Sequence, residues 1–142
     1  MAIKISGSTI IDDSRNIVNA GIITATTFNG SLGNVGEKIN NVGNTGTAST
    51  INLNNGTFVT AVLTGNCTFT FTNPSSEASS FTLLLTNDGT AGRSIVWPLS
   101  VKWPGGSVPL RTTTANKTDV YTFFTTNSGT NWYGNLAQYN YS

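Results

Sequence analysis

Short segments with β-branched or aromatic residues at every second position fill most of the chain after residue 51. The clearest are TFVTAVLT (57–64), CTFTFT (67–72), FTLLLT (81–86) and DVYTFFTT (119–126), with Gly, Asn, Asp or Pro between them. A two-residue period bounded by turn residues predicts strands, and about seven at this spacing are typical of an antiparallel sandwich or barrel. We therefore predict an all-β domain over residues 51–142, an antiparallel, jelly-roll-like β-sandwich.

One of these segments is apolar on both faces. In TFVTAVLT, Phe58 and Val62 share one face, and Val59, Ala61 and Leu63 share the other. A strand of this kind is covered on both sides within its own domain or is covered on one side by another subunit. We expect a homo-oligomer.

The first fifty residues are different, because their β-like pieces (IKI, TIID, NIV and GIITATTF) are short and interrupted by Gly, Asn or Asp. We predict that residues 1–50 form an extended attachment or stalk segment. Within it, Leu32, Val35, Ile39 and Val42 are spaced as in a heptad seam. The seam is short and contains glycines, so either it forms no helix or identical copies hold it around a trimer axis.

Composition excludes several kinds of partner. Charged residues make up 9% of the chain, against roughly 25% in ordinary soluble domains, and the net charge is +1 with no basic cluster. We therefore expect no nucleic-acid partner. No apolar run is long enough for a membrane span, and none resembles a leader peptide. We therefore expect no insertion into a membrane, and we expect the protein to be assembled in a cytoplasm. The single cysteine, Cys67, is expected to be a buried, unreactive thiol.

Catalytic chemistry finds little support in the sequence. The chain contains no histidine, which removes His-based general acid–base pairs, nucleophile triads and the commonest zinc ligand. Its six carboxylates show no pairing, and Asp88 is explained by the Asn87-Asp88-Gly89 turn. We expect no enzyme activity, no catalytic residue, no metal site and no cofactor.

Aromatic residues are the remaining candidates for a functional site. Trp97 and Trp103 each precede a proline in WPLSVKWPGG, and Trp132 is followed by Tyr133. These rings either anchor the core or a subunit interface, or stack on sugars beside hydrogen-bond donors. The predicted glycan or receptor contacts are Trp103, Arg111, Trp132 and Tyr133.

Three stretches resemble virion fibre and tail proteins of bacteriophages, particularly those infecting marine cyanobacteria. They are IDDSRNIVNAGIITATTFNG, the polar spacer after it, and RSIVWPLSVKWPGGSVPLRTTTANKTDVYTFFTTNSGTNWYG. The likeness covers roughly residues 9–31 and 92–134. It implies a trimeric structural protein of the virion, attached to other virion proteins through residues 1–50, whose β-domain contacts host surface polysaccharide.

Two alternatives stay open at this point. The chain has 142 residues and no long repeated shaft, which also suits a decoration or cement protein bound to the capsid. A carbohydrate-binding module that uses the aromatic residues is the third hypothesis.

Overall fold

A computed structural model describes residues 3–5, 8–11 and 36–142 of the chain, which divides into two compact units, Met1–Val35 and Gly36–Ser142. In the first unit, strands β1 (Ile3–Ile5) and β2 (Ser8–Ile11) form an antiparallel pair with Lys4 opposite Thr9. These strands correspond to the β-like pieces IKI and TIID of the sequence.

The second unit is all-β, as predicted. Its strands are β3 (Ile39–Asn44), β4 (Ala48–Asn52), β5 (Phe58–Leu63), β6 (Cys67–Thr72), β7 (Ser79–Asn87), β8 (Ile95–Val96), β9 (Val101–Lys102), β10 (Thr118–Thr125) and β11 (Trp132–Tyr141). Two single-turn 3₁₀ helices, Leu53–Asn55 and Pro104–Gly106, are the helical segments among residues 36–142. The runs read from the sequence as strands after residue 57 coincide with β5 to β11 within about two residues.

Strand pairing differs from the prediction. The strands form a six-stranded sheet in the order β3-β5-β7-β10-β11-β9 and a three-stranded sheet in the order β4-β6-β8. Up to β8 the chain changes sheet after every strand, so each strand pairs in parallel with the strand two positions later. Only β7–β10 and β10–β11 are antiparallel within this unit. The expected antiparallel arrangement is therefore wrong for the first half of the domain, because the chain crosses over and does not turn back in hairpins.

The β domain also includes residues 36–50, which the sequence analysis placed with the N-terminal segment. β3 lies along β5 with Ile39 opposite Phe58, and β4 lies along β6 with Ile51 opposite Phe71. Two residues of the predicted trimer seam, Ile39 and Val42, therefore lie on a strand and not on a helix. The other two, Leu32 and Val35, lie outside the described residues.

Two equivalent turns stack where the chain crosses between the sheets, at Thr45-Gly46 and Thr64-Gly65. The Gly46 amide donates to Thr64 Oγ1 at 3.1 Å, and the Thr64 amide donates to Thr45 Oγ1 at 3.4 Å. The crossover after β7 is longer and begins at Asp88, whose amide donates to the Leu63 carbonyl at the end of β5 at 3.2 Å. Hydrogen bonds between turns therefore extend the strand pairing around the bend.

Asp88 has the turn role that the sequence suggested. Its Oδ1 accepts a hydrogen bond from the Thr90 amide at 2.9 Å, and its Oδ2 lies 2.7 Å from Arg93 Nη2. The hydrogen bond from Arg93 is the main cause that lowers the pKa of Asp88, followed by the bond from the Thr90 amide.

The core between the two sheets is aromatic. Phe71 of the smaller sheet packs edge-on against Phe81 and Phe123 of the larger one, and Phe69 stacks on Trp97 with ring centroids 5.2 Å apart. Trp97 keeps only 7% of its surface exposed, which favours the core interpretation of this residue. Cys67 is buried as predicted, and burial raises the pKa of its thiol. Aliphatic residues of both sheets, among them Ile51, Val59 and Leu83, complete the buried cluster.

Replacement of Gly65 tests the stacking of the turns. A Cβ at Gly65 would lie 2.7 Å from the Gly46 carbonyl oxygen, so Gly65→Ala must push two backbone segments apart. We expect a loss of about 1–3 kcal/mol in the free energy of unfolding, measured by urea denaturation. Gly89→Ala, in the longer crossover after β7, meets no atom within 4 Å and is the control. Equal stabilities of the two variants would contradict the stacked arrangement.

Trp97→Ala tests the core. Removing a buried indole should lower the free energy of unfolding by about 3–5 kcal/mol. Leu99→Ala, two residues away and 98% exposed, should change it by less than about 0.5 kcal/mol. Thermal and urea unfolding of both variants provide the measurement, and a Trp97 variant as stable as the Leu99 variant would show that the indole is not a core residue.

Candidate functional site

The structure separates the four residues predicted to contact a glycan or receptor. Trp103 and Tyr133 line one groove of about 410 Å³ on the outer face of the six-stranded sheet. Trp132 points the other way, into the core, where it packs edge-on against Phe71 and Phe81. Arg111 lines a different depression. Two of the four residues therefore belong to a common site.

The groove is built across β9, β10 and β11 by the register of these strands. Phe124 lies opposite Tyr133, and Tyr133 lies opposite Lys102, so the three side chains form a row on one face. The rings of Phe124 and Tyr133 are stacked, with centroids 5.1 Å apart and planes 23° apart. They remain 49% and 46% exposed. A pair of open aromatic rings on a sheet is thus the main feature of the site.

Trp103 forms a wall of the groove and is itself held by the core. Its ring lies edge-on to Trp97 at 5.6 Å and to Phe123 at 5.7 Å. A Cβ on Gly134 would come within 2.8 Å of the Trp103 ring. The ring fits beside β11 because residue 134 has no side chain, and this packing fixes the orientation of the surface that Trp103 contributes.

The turn after Trp103 completes the wall. The Gly106 amide donates to the Trp103 carbonyl at 3.0 Å, and both Gly105 and Gly106 have positive φ angles, of 65° and 75°. Such angles favour glycine. The Pro104-Gly105-Gly106 sequence therefore allows the chain to bend sharply next to the groove.

Polar groups of the groove are few and of mixed type. Thr122 and Asn135 lie opposite each other in the row next to Phe124 and Tyr133, and Lys102 carries the one charge of the lining. This set offers hydroxyl, amide and ammonium groups beside aromatic faces. It contains no carboxylate and no thiol. The arrangement can stack on a flat or ring-shaped ligand and hydrogen-bond to it.

A second, hydroxyl-rich depression of about 670 Å³ adjoins the groove. Thr122 and Phe124 line both concavities. Phe123, Ser80, Thr82 and Thr57 line the second one, which extends toward β5. Glu37 at its far side accepts a hydrogen bond from Thr57 Oγ1 at 3.2 Å. The two concavities together provide an extended surface that is longer than a single small ligand requires.

Arg111 is a structural residue in this arrangement. Its guanidinium donates to Asn87 Oδ1 at 2.9 Å, to the Thr112 carbonyl at 2.7 Å and to the Arg93 carbonyl. The neighbouring Asp119 is buried and accepts from the amides of Thr112 and Asn140 at 2.8 and 3.0 Å. These bonds tie the long loop before β10 to β7 and β11.

Sequence reasoning missed Phe124, Lys102 and the two polar residues of the groove. The adjacent phenylalanines in DVYTFFTT carried a usable signal, because consecutive residues of a strand face opposite sides and one of the two must point outward. The same rule distinguishes Trp132 from Tyr133. Lys102 and Asn135 join the site only through strand pairing, which the sequence alone does not give.

Other types of site are not seen in the described ranges 3–5, 8–11 and 36–142. They contain no group of three or more His, Cys, Asp or Glu residues that could hold a metal ion, and no helix long and apolar enough to cross a membrane. Comparison of the chain with protein-family models, with curated proteins and with solved structures gives no significant match.

Arg111→Ala tests the structural role of this residue. Loss of three hydrogen bonds, one of them to the buried Asn87, should lower the free energy of unfolding by about 1–3 kcal/mol. Lys102→Ala removes a cation of the groove that has no hydrogen-bond partner among the described residues, and it should leave stability within about 0.5 kcal/mol of the parent. Urea denaturation of both variants is the measurement, and an Arg111 variant of unchanged stability would return this residue to the candidates for ligand contact.

Proposed function

We propose that this protein is a structural component of a bacteriophage virion, a trimeric short fibre or appendage. Its N-terminal segment would attach it to other virion proteins, and its β domain, a two-sheet β-sandwich, would contact polysaccharide on the host surface. The open aromatic pair Phe124–Tyr133 is the observation that supports the contact with a sugar. The fibre-like phrases of the sequence support the assignment to a virion.

The chemistry of the groove favours a saccharide over other ligands. The C–H groups on the face of a pyranose ring are apolar enough to pack on aromatic rings, while its hydroxyls need donors and acceptors at the rim. Phe124, Tyr133 and Trp103 would provide the apolar floor and wall, and Thr122 and Asn135 the rim. Lys102 would add a preference for sugars that carry a carboxylate or sulfate group.

The rigidity of the site suits binding without chemical conversion. Tyr133 and Phe124 lie on paired strands, and Trp103 is wedged against the core, so little ordering is required when a ligand binds. The groove lining offers no carboxylate for general acid–base catalysis. We accordingly propose an adhesive and structural role, and no enzyme activity.

A capsid decoration protein is the second candidate. It is favoured by the wide outer face of the six-stranded sheet, whose central strands expose no charged residue. Gold-labelled antibody against the protein, viewed on intact particles by electron microscopy, separates the two proposals. Label on a tail, neck or baseplate fibre supports the leading proposal, and label spread over the shell supports the alternative.

Tyr133→Ala tests the sugar contact. Loss of one ring of the stacked pair should weaken binding to host surface polysaccharide, or to a responsive sugar on a glycan array, by about tenfold, equivalent to about 1.4 kcal/mol. Tyr141→Ala is the matched control, because Tyr141 lies on the same strand and is also 46% exposed but does not line the groove. Equal binding by the two variants, or no binding by the parent protein, would refute the assignment of the groove to a glycan.

A further inference from the structure

The outer face of the six-stranded sheet has a composition that is unusual for a surface in contact with water. The side chains of its three central strands on this face are Phe58, Thr60 and Val62 of β5, Ser80, Thr82, Leu84 and Thr86 of β7, and Thr118, Val120, Thr122 and Phe124 of β10. None of them carries a charge. Solvated sheet faces ordinarily alternate apolar inward residues with charged or strongly polar outward ones, and here the outward positions hold β-branched and large apolar residues.

The apolar residues of this face are adjacent across strands. Leu84 lies opposite Val120, and Phe58 lies opposite Ile39 of the edge strand. Val62 is one row further along β5. Leu84, Val120 and Val62 are half-buried by their neighbours alone, and no element of residues 36–142 packs over them. The face is therefore uncharged, with apolar side chains interspersed among threonine and serine hydroxyls, and it has no cover in the described part of the chain.

The smaller sheet provides a comparison within the same domain. Its outward residues include Thr50, Thr68 and Thr70, which are exposed and polar, and Val96 is the large apolar residue among them. Both faces lack charge, but only the face of the larger sheet adds two phenylalanines, a leucine and two valines on its central strands. Low overall charge of the protein does not explain this difference.

We propose that this outer face is the surface through which copies of this chain pack against one another. The partner is assigned as further copies of the chain because the uncharged faces of three copies can meet around one axis without charge repulsion, and the chain as a whole has a net charge of only +1. The proposal rests on the self-association included in the proposed function and adds the surface that performs it. It does not rest on the virion or sugar assignments.

The size of the face suits an interface between subunits. Five adjacent strands spaced about 4.8 Å apart, each with about six paired residues, span roughly 24 by 20 Å. This projected area of about 480 Å² is more than half of the roughly 800 Å² that each partner contributes to a standard stable interface, and the relief of the side chains adds to it. The hydroxyl pair of Thr86 and Thr118, with oxygens 2.8 Å apart, shows that the polar groups on the face are in part already satisfied within the sheet. Their burial would then cost less than the burial of unpaired hydroxyls.

A charge placed on this face provides the test. Thr60→Lys and Leu84→Lys each put an ammonium group on a central strand of the proposed interface, and Thr70→Lys puts one on the central strand of the smaller sheet. Molecular mass is measured by light scattering after size-exclusion chromatography, with circular dichroism as the check of folding. We expect the parent protein and the Thr70→Lys variant to have a molecular mass that is a multiple of 14.9 kDa. The two face variants, Thr60→Lys and Leu84→Lys, should have a molecular mass of 14.9 kDa.

A labelling experiment covers the case in which a lysine variant fails to fold. The native Cys67 is buried, so Thr60→Cys introduces the one accessible thiol on the β domain. In the assembled protein, maleimide should label this residue at least tenfold more slowly than it labels Thr70→Cys, and dilution into the monomer range should abolish the difference.

Each other outcome counts against the proposal in a distinguishable way. A parent protein of 14.9 kDa would refute both the self-association and the surface. A multimer unaffected by both face variants would leave the trimer standing and refute the surface. Slow labelling of Thr60→Cys that persists in a monomer would mean that another part of the same chain covers the face, which also overturns the assignment to further copies.

Discussion

Parallel stacking of each strand on the strand two positions earlier is the constraint on which the rest of this domain depends. β5 is held between β3 and β7, with Val62 opposite Asn44 on one side and Thr86 on the other. A shift of one residue in either pairing would turn Val59 and Leu83 from the core to the surface. The stacked turns fix this register, because the hydroxyls of Thr45 and Thr64 bond to amides of the neighbouring turn.

The aromatic core and the groove follow from that register. Inward positions of β6 and β7 bring Phe69, Phe71 and Phe81 together, and the loop after β8 adds Trp97 to this cluster. The antiparallel strands β10 and β11 then extend the larger sheet, and the short β9 joins at its edge beside β11. Where these three strands meet, consecutive residues alternate between core and surface. Trp132 is therefore buried while Tyr133, the next residue, is open to a ligand.

Much of this fold was predictable from the sequence, and the pairing was not. The two-residue period of TFVTAVLT and of CTFTFT predicted the strands β5 and β6 to within one residue at each end, because alternation is a local property of a half-buried strand. β3 and β4 were missed because INNVGN and ASTIN are mostly polar, and the residues that they bury, Asn40 and Ile51, are widely separated. A repeated turn was also present at Thr45-Gly46 and Thr64-Gly65. This repeat marks the crossovers after β3 and β5. It can be recognised as a crossover signal only when the strands are already known to pair in parallel.

The candidate site shows the same division. Residue type was enough to select Trp103 and Tyr133, since exposed aromatic rings are recognisable candidates for stacking. It was not enough to exclude Trp132 or Arg111. The role of Trp132 depends on which face of the strand it occupies, and that of Arg111 depends on acceptors distant in sequence, Asn87 and the Arg93 carbonyl. The partners of Tyr133 in the groove, Phe124 and Lys102, come from two other strands. A site formed across strands is set by register, and register is the part of this structure that local sequence does not encode.

The groove and the uncharged face lie on the same side of the larger sheet, and this position has a consequence for binding. Phe124 is four residues along β10 from Val120, a distance of about 13 Å, so the groove would lie at the rim of an interface centred on Leu84 and Val120. Copies packed through that face would hold their grooves at fixed separations along the rim of the interface. A single aromatic groove binds a sugar weakly, but several grooves on one polysaccharide gain avidity of about 10²–10⁴ without any new contact. Self-association and adhesion would then be two uses of one sheet face, and strong attachment would require both.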